Sequence, residues 1–165
     1  MGEVSGAKTF TATMVAEASQ PDEQYFLDTS VIVAATVAVH PSYVVAGEFV
    51  DEAVGRGAGL NISPQVCREY LVVLTRQPVS GRVFTVDEAV SALRVWQIGC
   101  RMLSDDEAVS SECIGLVQRF GVQGKQVHDC NIVATMKAHG LRKLATRNAR
   151  DFRRYEGEIE VIAIE

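Results

Sequence analysis

From Tyr25 onward the apolar positions of this chain switch repeatedly between short continuous runs and helical spacing, which reads as strand and helix in turn. Tyr25-Phe26-Leu27 is aromatic and aliphatic, and predicts a buried strand that stops on Asp28. Val31 to Val39 predicts a short helix, His40-Pro41-Ser42 a turn, and Tyr43 to Arg56 a second helix offering Val44, Val45, Phe49 and Val54 for burial. Leu60 to Ser63 predicts a second strand. Pro64 then suits the first turn of a helix reaching Arg76, where its missing N–H is not needed.

Pro78 to Arg82 reads as a loop. Thr85 and Glu88 stand at capping-box spacing and open a helix expected to run to about Met102. Asp105-Asp106-Glu107 complements the dipole of the next helix, which carries Ile114, Leu116, Val117 and Phe120 and closes at Gly121 and Gly124. His128 to His139 predicts a further helix, with Ile132, Val133 and Met136 on one face and Gly140 beyond its end. Leu141 to Thr146 and Glu160 to Ile164 predict the last strands. Strands separated by helices imply an α/β fold, with a central, mostly parallel sheet flanked by helices.

Composition narrows the class. A chain of 165 residues, 47% hydrophobic and 22% charged, is one soluble domain of ordinary size. Residues 1–24 hold few large apolar residues and are expected to be a loosely ordered arm or an added leader, with 25–165 as the folded domain. A signal peptide is not expected, because Glu3 offsets Lys8 and Thr interrupts the apolar stretch, and Gly6 stands where myristoylation wants Ser or Thr. No window has the apolar length of a membrane helix. Cys67, Cys100, Cys113 and Cys130 form no C-x-x-C pair and read as free thiols in a reducing cytoplasm. The net charge of −5 argues against wholesale nucleic-acid binding, yet leaves room for a local basic patch.

Three acids occupy comparable places. Asp28 ends the first strand, Glu69 lies on the helix after the second, and Asp129 is in the first turn of the helix before the third long strand. In an open parallel sheet all three gather at the carboxyl edge, where ligands bind. Carboxylates about 4 Å apart repel by roughly 4 kcal/mol at an effective dielectric near 20, so the cluster calls for a cation or raised pKa values. Oxygen-only donors select Mg²⁺ or Mn²⁺, ions that serve in the hydrolysis of phosphodiesters. Taken singly, Asp28 could be a helix N-cap, Glu69 a solvated helix residue and Asp129 a dipole partner.

These residues lie in segments that resemble the PIN-domain ribonucleases, and among them the VapC-type toxins of toxin–antitoxin pairs: Phe26-Leu27-Asp28-Thr29-Ser30, Arg68-Glu69, His128-Asp129-Cys130-Asn131 and Thr146-Arg147-Asn148-Ala149-Arg150-Asp151-Phe152. The resemblance covers Tyr25 to Glu165. It implies a PIN-like three-layer fold, Asp28, Glu69 and Asp129 as catalytic metal ligands, and Ser30 and Thr146 as supports of the pocket. A fourth acid is common in such proteins where this chain has Asn148, with Asp151 as a substitute nearby. The implied activity is Mg²⁺- or Mn²⁺-dependent endoribonuclease, in a cytoplasmic homodimer silenced by a cognate antitoxin protein.

The segment holding Arg142, Lys143, Arg147, Arg150, Arg153 and Arg154 is the densest positive charge in the chain. Arg147, Arg150 and Arg153 are candidates for RNA phosphates, against the alternative of a solvated face paired with Glu156, Glu158 and Glu160. Trp96 and Tyr70 read as core or dimer interface, Cys130 as too soft for Mg²⁺, and His128 as a supporting or proton-carrying group. A dehalogenase-type phosphatase would want a second Asp where Ser30 stands. A PIN-like module that binds RNA or protein without cutting is the alternative from another class, kept open by Asn148.

Overall fold

The computed structural model describes residues 21–76 and 78–165. Among the described residues five strands form one sheet: β1 (Gln24–Leu27), β2 (Gly59–Ile62), β3 (Arg101–Met102), β4 (Lys143–Thr146) and β5 (Glu160–Ala163). Their order is β3-β2-β1-β4-β5, and every pairing is parallel, so the expected mostly parallel sheet is wholly so. The helices are α1 (Thr29–Thr36), α2 (Tyr43–Gly55), α3 (Pro64–Arg76), α4 (Val86–Gly99), α5 (Glu107–Phe120) and α6 (Gln126–Ala138), with a 3-10 turn over Ala149–Tyr155.

The chain steps outward from β1 through β2 to β3, then returns to the other side of β1 to lay down β4 and β5. The order reverses between β1 and β4, and the crevice outside the carboxyl ends of such a pair is where open parallel sheets bind ligands. Asp28 follows β1 and Thr146 ends β4, so both stand at that crevice.

Strands β1, β2 and β4 are buried along nearly their whole length, as continuous apolar runs in a covered parallel sheet should be. Several sequence expectations change. The helix expected over Val31 to Val39 is instead Thr29–Thr36. The helix expected to reach Met102 ends at Gly99; Cys100 is extended, and Arg101–Met102 pairs with Asn61–Ile62 at the sheet edge. Leu103, buried, continues the path by donating its N–H to the Ile62 carbonyl at 2.9 Å. On α2, Ala46 and Ala53 are buried and Val45 and Phe49 pack against the core as expected, whereas Val44 and Val54 point to solvent. Those two valines fall outside the stripe that faces the core.

Gln24 already belongs to β1, and Glu23 accepts from Lys143 Nζ at 2.7 Å, which ties the start of the described chain to β4. Residues 1–20 of the expected arm lie outside the described residues. The capping box expected at Thr85 is present in both directions.

Behind the crevice, Thr36 at the end of α1 joins three helices. Its Oγ1 accepts from Tyr70 Oη of α3 at 3.0 Å and from Trp96 Nε1 of α4 at 2.9 Å, and donates to the Ile32 carbonyl. Tyr70 is fully buried and Trp96 packs against the core. Thr36→Val keeps the shape but strands two donors, so it is expected to cost about 1–3 kcal/mol in chemical denaturation. An unchanged midpoint would show that the knot contributes nothing.

Candidate active site

The crevice is a cavity of about 820 Å³. Its wall includes Asp28, Glu69 and Asp129, brought from three elements, together with Thr29, Ser30, Asn148, Arg147, Arg68, His40 and His128.

Asp28 occupies the backbone position of an N-cap to α1, but its carboxylate makes no capping hydrogen bond. The carboxylate turns instead across the crevice, where Oδ2 accepts from Ser30 Oγ at 2.6 Å and from Thr146 Oγ1 at 2.7 Å. Thr146, itself buried, also accepts from the Asn148 N–H at 2.9 Å. Only 6% of Asp28 is exposed. Burial drives its pKa above the ordinary value, the two hydroxyls pull the other way, and the Glu69 charge adds to the rise.

Glu69 projects from α3 and is not a freely solvated helix residue. Thr29 Oγ1 donates to its Oε2 and Gln65 Nε2 to its Oε1, both at 2.8 Å. Gln65 also donates to the His128 carbonyl at 2.9 Å and accepts from Asn131 Nδ2 at 2.8 Å. That buried amide therefore fixes α3 against α6, the helix that carries Asp129.

Asp129 is half-buried on α6, with its pKa pushed up to about 6. Burial is the main cause, followed by the charges of Asp151, Asp28 and Glu69, with His128 opposing. Asp129 thus feels the charge of three acidic neighbours.

Asp151 is exposed and lines a neighbouring hollow of about 370 Å³ with Gln126, Arg150, Arg153 and Arg154. Asp129 lines both cavities. Asn148 lies in the main pocket, so the two residues considered for a fourth acidic place face different spaces. Arg147 lines the main pocket, whereas Arg150 and Arg153 line the smaller hollow. The alternative pairing of this basic segment with Glu158 is not made among the described residues, because Glu158 is engaged by Arg119 and Lys137.

The donor set suits a hard divalent cation in kind: three carboxylates, hydroxyls and an amide oxygen around one cavity, with two acids pushed above their ordinary pKa. Among the described residues no group of three His, Cys, Asp or Glu side chains stands close enough to hold an ion as they lie. Mg²⁺ sites use one or two carboxylates and keep several waters, so the two observations are compatible.

Thr29, Gln65 and His40 escaped sequence reasoning as site residues. The i, i+4 spacing of Gln65 and Glu69 on a helix was a legible signal for that contact. The contacts of Gln65 with His128 and Asn131 were not, because they span 63 and 66 positions.

The profile of the PIN domain family matches residues 25–158. Among solved structures, VapBC2 from Rickettsia felis bound to a promoter DNA fragment superposes with a TM-score of 0.65 at 16% identity, covering 86% of this chain and 99% of that one. VapBC-1 from nontypeable Haemophilus influenzae gives 0.62 at 16% identity, with 85% and 97% covered. VapC20 from Mycobacterium tuberculosis, a sarcin-ricin loop cleaving toxin, gives 0.57 at 16% identity, with 73% and 86% covered. At these identities the likeness is one of fold. Among curated proteins none matches the chain.

Proposed function

We propose that this chain, which belongs to the PIN domain family, is a metal-dependent endoribonuclease and the toxin of a toxin–antitoxin pair. The observation that carries the reading is the convergence of Asp28, Glu69 and Asp129 on the cavity at the sheet's reversal point, two of them locked by hydroxyl and amide donors. An unused cluster of buried carboxylates only destabilises a fold. One of the solved structures of similar fold is a toxin that cleaves the sarcin-ricin loop, which favours RNA as substrate.

Asp28, Asp129 and Glu69 would hold Mg²⁺ or Mn²⁺, directly or through water. Such an ion supplies activation of water and neutralisation of charge on the diester. The chain's own residues do the rest. Ser30 and Thr146 hold the Asp28 carboxylate in one orientation, Thr29 and Gln65 fix both oxygens of Glu69, and Asp129, raised to about 6 by burial and its acidic neighbours while no cation is present, is the acid that a bound cation would most readily return to its charged form. Asp151 lines the hollow next to Asp129 and adds its charge to that end of the site. Arg150 and Arg153 are free of ion pairs among the described residues, and offer the hollow next to Asp129 to RNA phosphates.

No helix among the described residues is long and apolar enough to cross a membrane, and a cytoplasmic site of action suits free thiols. The exposed Val86, Val95 and Ile98 of α4 suit a homodimer or antitoxin contact. Asn148 in the pocket favours a second reading, a PIN-like module that binds RNA without cutting.

Incubation of the full chain with a cellular RNA pool, in Mg²⁺, in Mn²⁺ and in chelator, separates the two. Discrete products that require metal are expected. RNA bound equally with and without metal, and left intact, would replace the nuclease with the non-cutting module.

A further inference from the structure

His40 Nε2 and the Arg147 guanidinium meet in the acid pocket, 3.5 Å apart, and the tautomer set by the other ring nitrogen makes both of them donors. His40, in the turn between α1 and α2, accepts the Ser42 backbone N–H at its Nδ1, 3.1 Å away. A neutral imidazole that accepts at one nitrogen carries its proton on the other. That nitrogen, Nε2, lies 3.5 Å from Nη1 of Arg147, which has only protons to offer. Burial and the Arg147 charge both hold the His40 pKa below its ordinary value, so the ring is neutral at pH 7.

Arg147 is short of acceptors elsewhere as well. Its Nε is buried without a hydrogen-bond partner, and among the described residues no carboxylate lies within ion-pair distance of its guanidinium. Leaving buried donors unmatched is unfavourable, and in a native site such groups commonly await a ligand. Both anchors are rigid. The Arg147 N–H donates to Ser30 Oγ at 3.0 Å, the same hydroxyl that donates to Asp28, while the His40 turn is closed by bonds from its N–H to the Val37 carbonyl and from the Tyr43 N–H to its own carbonyl.

We infer that His40 Nε2–H and the Arg147 guanidinium form a seat for a nonbridging oxygen of the substrate's phosphodiester backbone, on the wall of the cavity that holds Asp28, Glu69 and Asp129. The inference rests on the nuclease reading for its occupant. Position decides between anions: a strand cut at the acids must lay its phosphates along this wall. The guanidinium's fork of parallel donors matches phosphate oxygens, and the imidazole adds a neutral donor to the same oxygen.

The test uses the full chain carrying Asp28→Asn, expected to leave RNA uncut on the nuclease reading, and adds His40→Ala, Arg147→Ala or Arg147→Lys. Binding of a short fluorescein-labelled single-stranded RNA of mixed sequence is followed by anisotropy against salt concentration. Arg147→Ala is expected to weaken binding about tenfold, the worth of one charge-assisted hydrogen bond, and to reduce the log–log salt slope by about 0.7. His40→Ala is expected to weaken binding severalfold with the slope unchanged, because a neutral donor releases no counterion. Arg147→Lys keeps the slope and loses part of the affinity, and guards against an Arg147→Ala chain that fails to fold.

Imidazole nitrogen NMR of the same protein, titrated with inorganic phosphate, examines the seat without RNA. The Nε2–H tautomer and a phosphate-induced shift of His40 that disappears in Arg147→Ala are expected. A phosphate shift with no RNA binding would keep the seat and remove its RNA occupant, overturning the nuclease reading. RNA bound with the same affinity and slope in every variant would overturn the seat and leave the nuclease reading standing. A proton on Nδ1, or a His40 shift reversed by polyglutamate and not by RNA, would overturn the proposal as well.

Discussion

Replacing Asp28 by asparagine is expected to lower RNA cleavage by at least about a hundredfold while the protein stays folded and no less stable at neutral pH. The two effects have opposite signs for one reason. Asp28 is nearly sealed from solvent beside Glu69, and its burial disfavours the charge it must carry to hold a cation. Asparagine keeps an oxygen that can accept from Ser30 and Thr146, so the crevice retains its shape and loses the charge. Asp129→Asn should behave alike, since its carboxyl is pushed up by burial and three acidic neighbours. Cleavage rates and thermal melts of the two variants and the parent decide the matter. A variant that cuts normally removes that acid from the mechanism. A variant that melts several degrees lower shows the carboxylate to be structural.

The acids were legible because strand ends and helix starts leave strong marks. An apolar run that stops on Asp28 places that residue at a sheet edge whatever the rest of the chain does, and the helix begun at Pro64 puts Glu69 one turn in. Alternation of strand and helix implies a parallel sheet and so puts Asp129 at the same carboxyl edge, whereas the order β3-β2-β1-β4-β5 that sets β4 beside β1 is not written in any local pattern. What eluded the sequence depends on contacts between distant segments. The pair Arg101–Met102 is too short and too exposed to show a period, and becomes a strand only because β2 offers it an edge. Ile114 stands with Leu116, Val117 and Phe120 among the apolar residues of α5, yet 60% of it is exposed while Leu116 is buried. Gln65 and His40 are polar residues whose roles come from partners far along the chain, and no local pattern announces them. Even the basic segment could be judged only after Glu158 was found bound to Arg119 and Lys137.

The acid cluster also predicts an unusual pH dependence of stability. Asp129 moves from an ordinary 3.8 to about 6 on folding, so between those values the folded protein holds a proton that the unfolded chain has lost. Stability therefore falls as pH rises through that window and levels off above about pH 7. Unscreened, a change of this size would be worth about 3 kcal/mol. Asp129 is only half-buried, and solvent screening reduces the effect to about 1 kcal/mol, or about 2–4 °C in Tm for a chain of this size. Asp28, raised by burial, acts in the same direction. Glu23 acts oppositely and at lower pH: Lys143 holds it down to about 2, so its contribution is present above its ordinary 4.5 and is lost as pH falls towards 2. In chelator the melting temperature should accordingly peak near pH 5 and decline towards pH 7. Mg²⁺ at ten times its dissociation constant should restore about 1.4 kcal/mol at pH 7.5 and less at pH 5, where protons compete for the same carboxylates. Chains carrying Asp28→Asn and Asp129→Asn together should lose both the decline and the Mg²⁺ response. A melting temperature that rises from pH 5 to 7 in chelator, or a Mg²⁺ effect indifferent to pH, would mean that these carboxylates do not form the charged, cation-seeking cluster on which the nuclease reading depends.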